Sequence, residues 1–219
     1  MTKVMPGPRQ SDLVEVIAAQ GIEDDRLLQV LREVRREDFV PDNWTGLANV
    51  DVPIRIPHDQ VTTQPSLVAR MIEALELTGS ESVLEVGTGY GYQTALLSRM
   101  AAAVWSVERW ADLADAARRN LRAFGARNVE VVVGDGSLGL PEAAPFDAVL
   151  VSAAALRVPP PLAEQLREGG RLVQPIGPGG EEEVTLFRRG RRGLERDRLI
   201  TGAHFVRLYG AHGFAPPAE

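Results

Sequence analysis

The sequence predicts an α/β protein: a doubly wound, mostly parallel sheet with a C-terminal antiparallel hairpin and an N-terminal helical and loop extension. Three observations predict it. The run Ser82-Val83-Leu84-Glu85-Val86-Gly87-Thr88-Gly89-Tyr90-Gly91 reads as a buried strand breaking into a glycine loop that opens a helix. From there to Pro175, short apolar runs interleave with helical patterns, which demands a parallel sheet covered on both faces. Beyond it, Glu182 to Phe187 and Arg198 to Phe205 read as two strands meeting across a Gly190 to Gly193 turn.

Taken in order, residues 1 to 9 read as a tail. A short amphipathic helix spans Ser11 to Gln20, with Leu13, Val14, Val16 and Ile17 apolar, Ser11 as cap and Gly21 closing it. A second, Asp25 to Val34, carries Leu27, Leu28, Val30 and Leu31 and runs toward a stop at Pro41. Asn43 to Gln64 lacks periodicity and reads as an irregular surface segment. Pro65 suits the first position of a helix reaching Leu77, capped by Thr63 or Gln64 and burying Leu67, Val68, Met71, Ile72 and Leu75. The core then alternates. Helix Tyr92 to Met100 leads to strand Ala103 to Val107, helix Ala111 to Phe124 (ended by Gly125) and strand Val129 to Val133. Strand Phe146 to Val151, a helix near Pro161 to Leu166 and strand Gly170 to Pro175 follow. This divides the chain into an extension, 1–78, and a core, 79–219, in one compact unit.

At 219 residues, 44% hydrophobic and 25% charged, the chain can bury a full core. It has no cysteine, which excludes disulfides, thiolate zinc sites and cysteine nucleophiles. A formal charge of −6 offers no field for a polyanion, so neither nucleic acid nor a membrane is an expected partner. No stretch reads as a signal peptide or a bilayer span, and a cytoplasmic monomer is the expectation. His58, His204 and His212 are scattered, so no metal is expected.

Glycine spacing separates the possible cofactors. Gly87, Gly89 and Gly91 give G-x-G-x-G, not the G-x-G-x-x-G of dinucleotide sites. Glu85 lies at the end of the first core strand, Glu108 at the end of the next, in the place that holds ribose hydroxyls, and Asp135 after the third, toward an adenine edge. Three acids at successive strand ends suit a nucleoside with ribose hydroxyls and no phosphate. S-adenosylmethionine is such a ligand. Trp44, Trp105 and Trp110 read as packing residues, with Trp110 placed to border the adenine.

On these stretches the sequence resembles the protein-L-isoaspartate O-methyltransferases. The matching runs are Val83 to Ala95, Val132 to Gly139, Ala144 to Ala148 and Gln165 to Gly177, within a resemblance from about Asp24 to Gly213. The family's Thr-x-Ser-x-Pro, more specific than the glycine loop, is matched by Val61-Thr62-Thr63-Gln64-Pro65. Thr63 falls on its active-site hydroxyl, Thr standing for Ser. Asp51 matches an acidic position, and the usual glycine-rich approach is here Ile56-Pro57-His58-Asp59. Arg207 replaces a proline in Phe205-Val206-Arg207-Leu208.

The resemblance implies a Rossmann-like fold and S-adenosylmethionine as cofactor, held by Thr62, Glu85, Gly87, Thr88, Gly89, Tyr90, Gly91, Glu108, Arg109, Asp135 and Gly136, with Thr63 catalytic. It implies methylation of the free α-carboxyl of L-isoaspartyl residues in damaged peptides, whose esters cyclise to a succinimide from which aspartate re-forms. That carboxylate is already ionised at neutral pH, so the chemistry needs positioning and no general base. Thr63 and main-chain N–H groups of the helix at Pro65 would orient it. Two alternatives stay open: another carboxylate acceptor, in a modified peptide or a small-molecule acid, suggested by the altered loop Ile56 to Val61, and a cofactor-binding adaptor without turnover.

Overall fold

A computed structural model describes residues 8–215, so the expected tail lies outside the described residues except for Pro8 and Arg9. Helices α1 (Gln10–Ala19) and α2 (Asp25–Glu33) come first. The Arg9 backbone N–H donates to Asp12 Oδ2 at 2.9 Å, so α1 is capped at Arg9 and not at Ser11. Asp24 caps α2, accepting from the Leu27 N–H at 3.0 Å. α2 does not run on toward Pro41: Val34 is extended, and a 3-10 turn at Arg36–Phe39 points both Arg36 and Phe39 fully inward.

The segment read as irregular contains a further 3-10 turn, Asp42–Leu47, and an antiparallel hairpin of β1 (Ile54–Ile56) and β2 (Gln60–Thr62). Three-residue strands are too short for alternation to stand out, yet buried Ile54 and Ile56 do flank exposed Arg55. α3 (Pro65–Glu73) starts at the proline and ends before the expected Leu77, in a turn where Glu76 takes φ 50°.

The core elements β3 (Ser82–Val86), α4 (Tyr92–Met100), β4 (Ala103–Glu108), α5 (Ala111–Phe124), β5 (Val129–Val133) and β6 (Phe146–Val151) fall within a residue of expectation. They are followed by α6 (Pro160–Glu164) and β7 (Leu166–Ile176). β8 (Glu182–Gly190) and β9 (Gly193–Ala203) run further toward their tip than expected, because the ladder continues until Gly190 faces Gly193 and leaves Arg191 and Arg192 as the turn.

The seven-stranded sheet has the order β5-β4-β3-β6-β7-β8-β9, parallel from β5 to β7 and antiparallel through β8 and β9. One face packs against α1 to α5, where Ile17, Leu27, Met71, Leu96 and Leu121 join Val83, Val104 and Leu150 in one cluster. Extension and core therefore share their hydrophobic interior. The other face is covered more thinly, by Leu140 and by Leu162 of α6 against Leu84, Val86 and Val149. Strand order reverses between β3 and β6, and in open α/β sheets ligands bind in the crevice outside the carboxyl ends at such a switch. Among the described residues no helix is long and apolar enough to cross a membrane.

Candidate active site

A cavity of about 810 Å³ opens at that switch. Its base is the loop after β3, contributing Gly87, Thr88, Gly89 and Tyr90, with Gly136 after β5. Glu108, Arg109 and Trp110 form one end, Ser152 and Phe205 to Tyr209 another, and the β1–β2 hairpin with Thr62 and Thr63 closes over it. Gly87 and Gly89 take φ 96° and 55°, the left-handed region where a side chain is disfavoured. At Gly136 the limit is space, since a Cβ would collide with Val86 Cγ1.

The structure does not bring three of the expected site residues to this cavity. Glu85 is fully buried beneath the glycine loop, where it accepts from Thr94 Oγ1 and Ser106 Oγ at 2.5 Å and from Gln93 Nε2 at 2.8 Å. Gln93 also donates to Ser152 Oγ at 2.9 Å and itself lines the cavity, so Glu85 meets the cavity wall through one intermediary. Gly91 takes φ 93° to start α4, and a Cβ there would press on Leu121 of α5, away from the ligand space. Asp135 accepts from Ser137 N at 2.9 Å and Ser137 Oγ at 2.7 Å, and from Ala211 N at 2.7 Å, pinning the C-terminal segment to the loop after β5. Its hydrogen bonds from Ser137 and Ala211 outweigh partial burial and hold it below the usual carboxylate range.

Burial pushes Glu85 up to about 7, opposed by hydrogen bonds from Ser106, Thr94 and Gln93. Folding thus favours its protonated form, and the stability this contributes is full below the ordinary glutamate value and lost as pH rises through about 7. Glu85→Gln should therefore flatten the pH dependence of unfolding, with wild type losing ground to it between about pH 5 and 8. Thermal midpoints of both proteins across that range check this; parallel curves would show that another group is responsible.

Glu108 is buried at the end of β4 and does face the cavity. Its Oε2 accepts from Gly89 N at 2.8 Å and its Oε1 from Trp110 N at 3.0 Å, so one carboxylate ties the glycine loop to the start of α5. Burial raises its pKa against those backbone hydrogen bonds.

Arg36, which sequence reasoning did not single out, organises the closing segment. Its guanidinium is wholly buried and donates to the carbonyls of Ala48, Val50 and Val52 at 3.3, 3.0 and 2.9 Å, and to Thr62 Oγ1 at 2.9 Å. It lies 5.8 Å from the Tyr92 ring centre. Burial lowers it to about 10, which leaves it charged at neutral pH. Asp51 fixes the next turn, accepting from Ser66 N and Gln64 Nε2 at 2.9 Å and from Gln20 Nε2 at 3.0 Å. It thereby takes the first free N–H of α3, while those of Leu67 and Val68 go to the Gln64 carbonyl. The helix N-terminus thus has no donor in these groups for a substrate, contrary to the expectation from sequence.

Beside the cavity lies a smaller groove of about 390 Å³, lined by Leu67, Arg70 and His204 among others. Thr63 and Ser152 wall both spaces. Ser152 escaped sequence reasoning, its only signal being a hydroxyl directly after a buried strand at the switch point. The two hydroxyls stand where a ligand in the cavity and one in the groove would meet.

The family model described as protein-L-isoaspartate(D-aspartate) O-methyltransferase matches residues 8–212. Among similar proteins, a protein-L-isoaspartate O-methyltransferase of Methanoculleus marisnigri is 45% identical over 94% of this chain and 93% of its own. Another of Anaeromyxobacter dehalogenans is 48% identical over 90% and 95%. A solved protein-L-isoaspartate O-methyltransferase superposes with a TM-score of 0.82 at 28% identity, covering 94% of this chain and 67% of that one. A putative one from Plasmodium falciparum, in complex with S-adenosyl-L-homocysteine, gives 0.80 at 22% identity over 92% and 99%, a likeness of fold.

Proposed function

The chain belongs to the protein-L-isoaspartate(D-aspartate) O-methyltransferase family, and from this we infer that the meeting point of cavity and groove is where methyl transfer takes place. The enzyme transfers a methyl group from S-adenosylmethionine to the free α-carboxylate of L-isoaspartyl residues in damaged proteins.

The residues present fit this cofactor. The cavity offers a buried acid, Glu108, for ribose hydroxyls, a glycine loop that admits close backbone approach, and a bare Gly136. We assign cofactor contacts to Thr62, to Gly87 through Tyr90, to Glu108 and Arg109, and to Gly136. Glu85, Gly91 and Asp135 act as supports behind that surface. When bound, the cofactor supplies a methyl group on a positively charged sulfur.

The acceptor carboxylate is already ionised, so the protein's task is orientation. The single observation that carries the assignment is that Thr63 and Ser152 border both spaces. Ser152 Oγ already accepts from Gln93, which leaves its own hydrogen to donate. Thr63, half-buried, can donate likewise and fix the acceptor in line.

Labelled S-adenosylmethionine should mark an isoaspartyl peptide and spare its aspartyl twin; equal labelling of the two overturns this acceptor. Thr63→Ala should lower kcat about 10- to 100-fold, at or below the roughly 100- to 1,000-fold lost with one oxyanion-hole donor, with the unfolding midpoint nearly unmoved, whereas Thr63→Ser keeps activity. Full activity in Thr63→Ala would remove the hydroxyl from the mechanism. We also propose a cytoplasmic monomer acting without nucleic acid or membrane, a reading supported by the net charge of −6, which repels polyanions and anionic lipid. Sedimentation should return one chain of 23.8 kDa.

A further inference from the structure

The β1–β2 hairpin is held at its base by Arg36 through Thr62, but its tip reaches across the cavity to a second anchor. There the His58 imidazole lies flat on the Trp110 indole, ring centres 3.9 Å apart and planes within 3°. His58 Nε2 also sits 2.9 Å from both carboxylate oxygens of Asp112, in the first turn of α5. The stack continues inward: the Arg109 guanidinium is 5.2 Å from the ring centres of both Trp110 and Tyr209. His58, Trp110, Arg109 and Tyr209 all line the cavity, so three separate segments of chain meet in one layered wall.

The tip adopts this form against its own backbone preference. His58 and Asp59 take φ 62° and 55°, consecutive left-handed conformations that a hairpin turn ordinarily gives to glycine or asparagine. Residues with side chains hold such a turn only where surrounding contacts over-determine it. Both residues are exposed, and the contacts on the tip are those of the His58 ring with Trp110 and Asp112.

We propose that His58 is a cofactor-positioning residue: stacked on Trp110 and bonded to Asp112, it clasps the hairpin onto the Glu108–Trp110 end of the cavity and slows escape of the bound nucleoside. It acts through Trp110, which follows directly on the Glu108–Arg109 pair assigned to the cofactor. The proposal rests on the assignment of the cavity to S-adenosylmethionine and not on the identity of the acceptor.

The test is binding and release of S-adenosylhomocysteine, by calorimetry and stopped flow, in wild type, His58→Ala, His58→Phe, Trp110→Ala and the double alanine variant. His58→Ala should weaken binding about five- to tenfold, mainly through faster dissociation, with kcat at saturating cofactor unchanged. His58→Phe, which keeps an aromatic face without the Asp112 contact, should recover most of the loss. The double variant should be little weaker than Trp110→Ala alone, because the two residues act as one unit. A second readout needs no ligand: removing the stacked imidazole should change tryptophan emission of the free protein. An unchanged dissociation rate in His58→Ala, or effects of His58 and Trp110 that add, overturns the clasp. Failure of wild type to bind S-adenosylhomocysteine would instead overturn the cofactor assignment itself, and labelling of the wrong peptide would touch only the acceptor.

Discussion

Arg36→Met should abolish most activity, on the order of 100-fold, while leaving a folded protein. The guanidinium is the shared partner of four backbone carbonyls, those of Ala48, Val50, Val52 and Thr63, and of the Thr62 hydroxyl. Methionine fills similar volume and satisfies none of them. Each buried carbonyl left without its partner costs about 1–3 kcal/mol, so losing several at once takes up much of the roughly 5–15 kcal/mol by which domains of this kind are stable, and the protein stays folded because a loosened segment lets water reach those carbonyls. The loss is concentrated in one place, however, residues 42–64, which carry both Thr62 and Thr63. A displacement of about 1 Å at a positioning group is enough for a hundredfold loss of rate. Arg36→Lys should rescue only in part, because an ammonium lacks the planar fork that spans carbonyls on both sides. Limited proteolysis should cut the variant within 42–64 before global unfolding sets in; a variant as active and as protease-resistant as wild type would show that Arg36 does not organise the segment.

Glu108→Gln should lower cofactor affinity about 10- to 100-fold while leaving kcat at saturation close to wild type. The carboxylate accepts two backbone N–H groups, at Gly89 and Trp110, one through each oxygen. Glutamine has a single acceptor oxygen, so its amide NH₂ must face one of those donors. A ribose hydroxyl that loses its hydrogen bond to a charged acceptor forfeits about 1.5–3 kcal/mol, which is roughly the stated range in affinity. The loss should appear in the KM for S-adenosylmethionine and in the dissociation constant for S-adenosylhomocysteine by calorimetry, the signature of a group that binds equally before and during transfer. An unaltered dissociation constant would place Glu108 among the supports, with Glu85.

The contrast between those two glutamates shows where the sequence is legible. Both sit at carboxyl ends of adjacent parallel strands, and the acid-at-strand-end reading treats them alike. Side chains alternate along a strand, however, and Glu85 shares its face with Val83, which packs among the helices, whereas Leu84 and Val86 face the other layer. Glu85 therefore points at α4, where Thr94 and Gln93 receive it. Glu108 is the last residue of its strand, beyond the packed layer, and can turn to the loop. Asp135 lies two residues past the end of β5, far enough for the chain to have turned back and made it a cap.

By itself the sequence determined the sheet, its parallel core and antiparallel end, and the glycine loop, while of the three strand-end acids that it read together as favouring a phosphate-free nucleoside only Glu108 faces the cavity. These depend on periodicity, on glycine spacing and on which residue ends each strand, all of them properties of short contiguous stretches. Only the tertiary structure decided which polar groups work together. Arg36 meets Thr62 across 26 positions and His58 meets Asp112 across 54. A buried cation among carbonyls, a hairpin tip clasped to a distant helix and two hydroxyls at one junction leave no periodic trace, because each exists only once the shared hydrophobic core has brought separate segments to the same edge of the sheet.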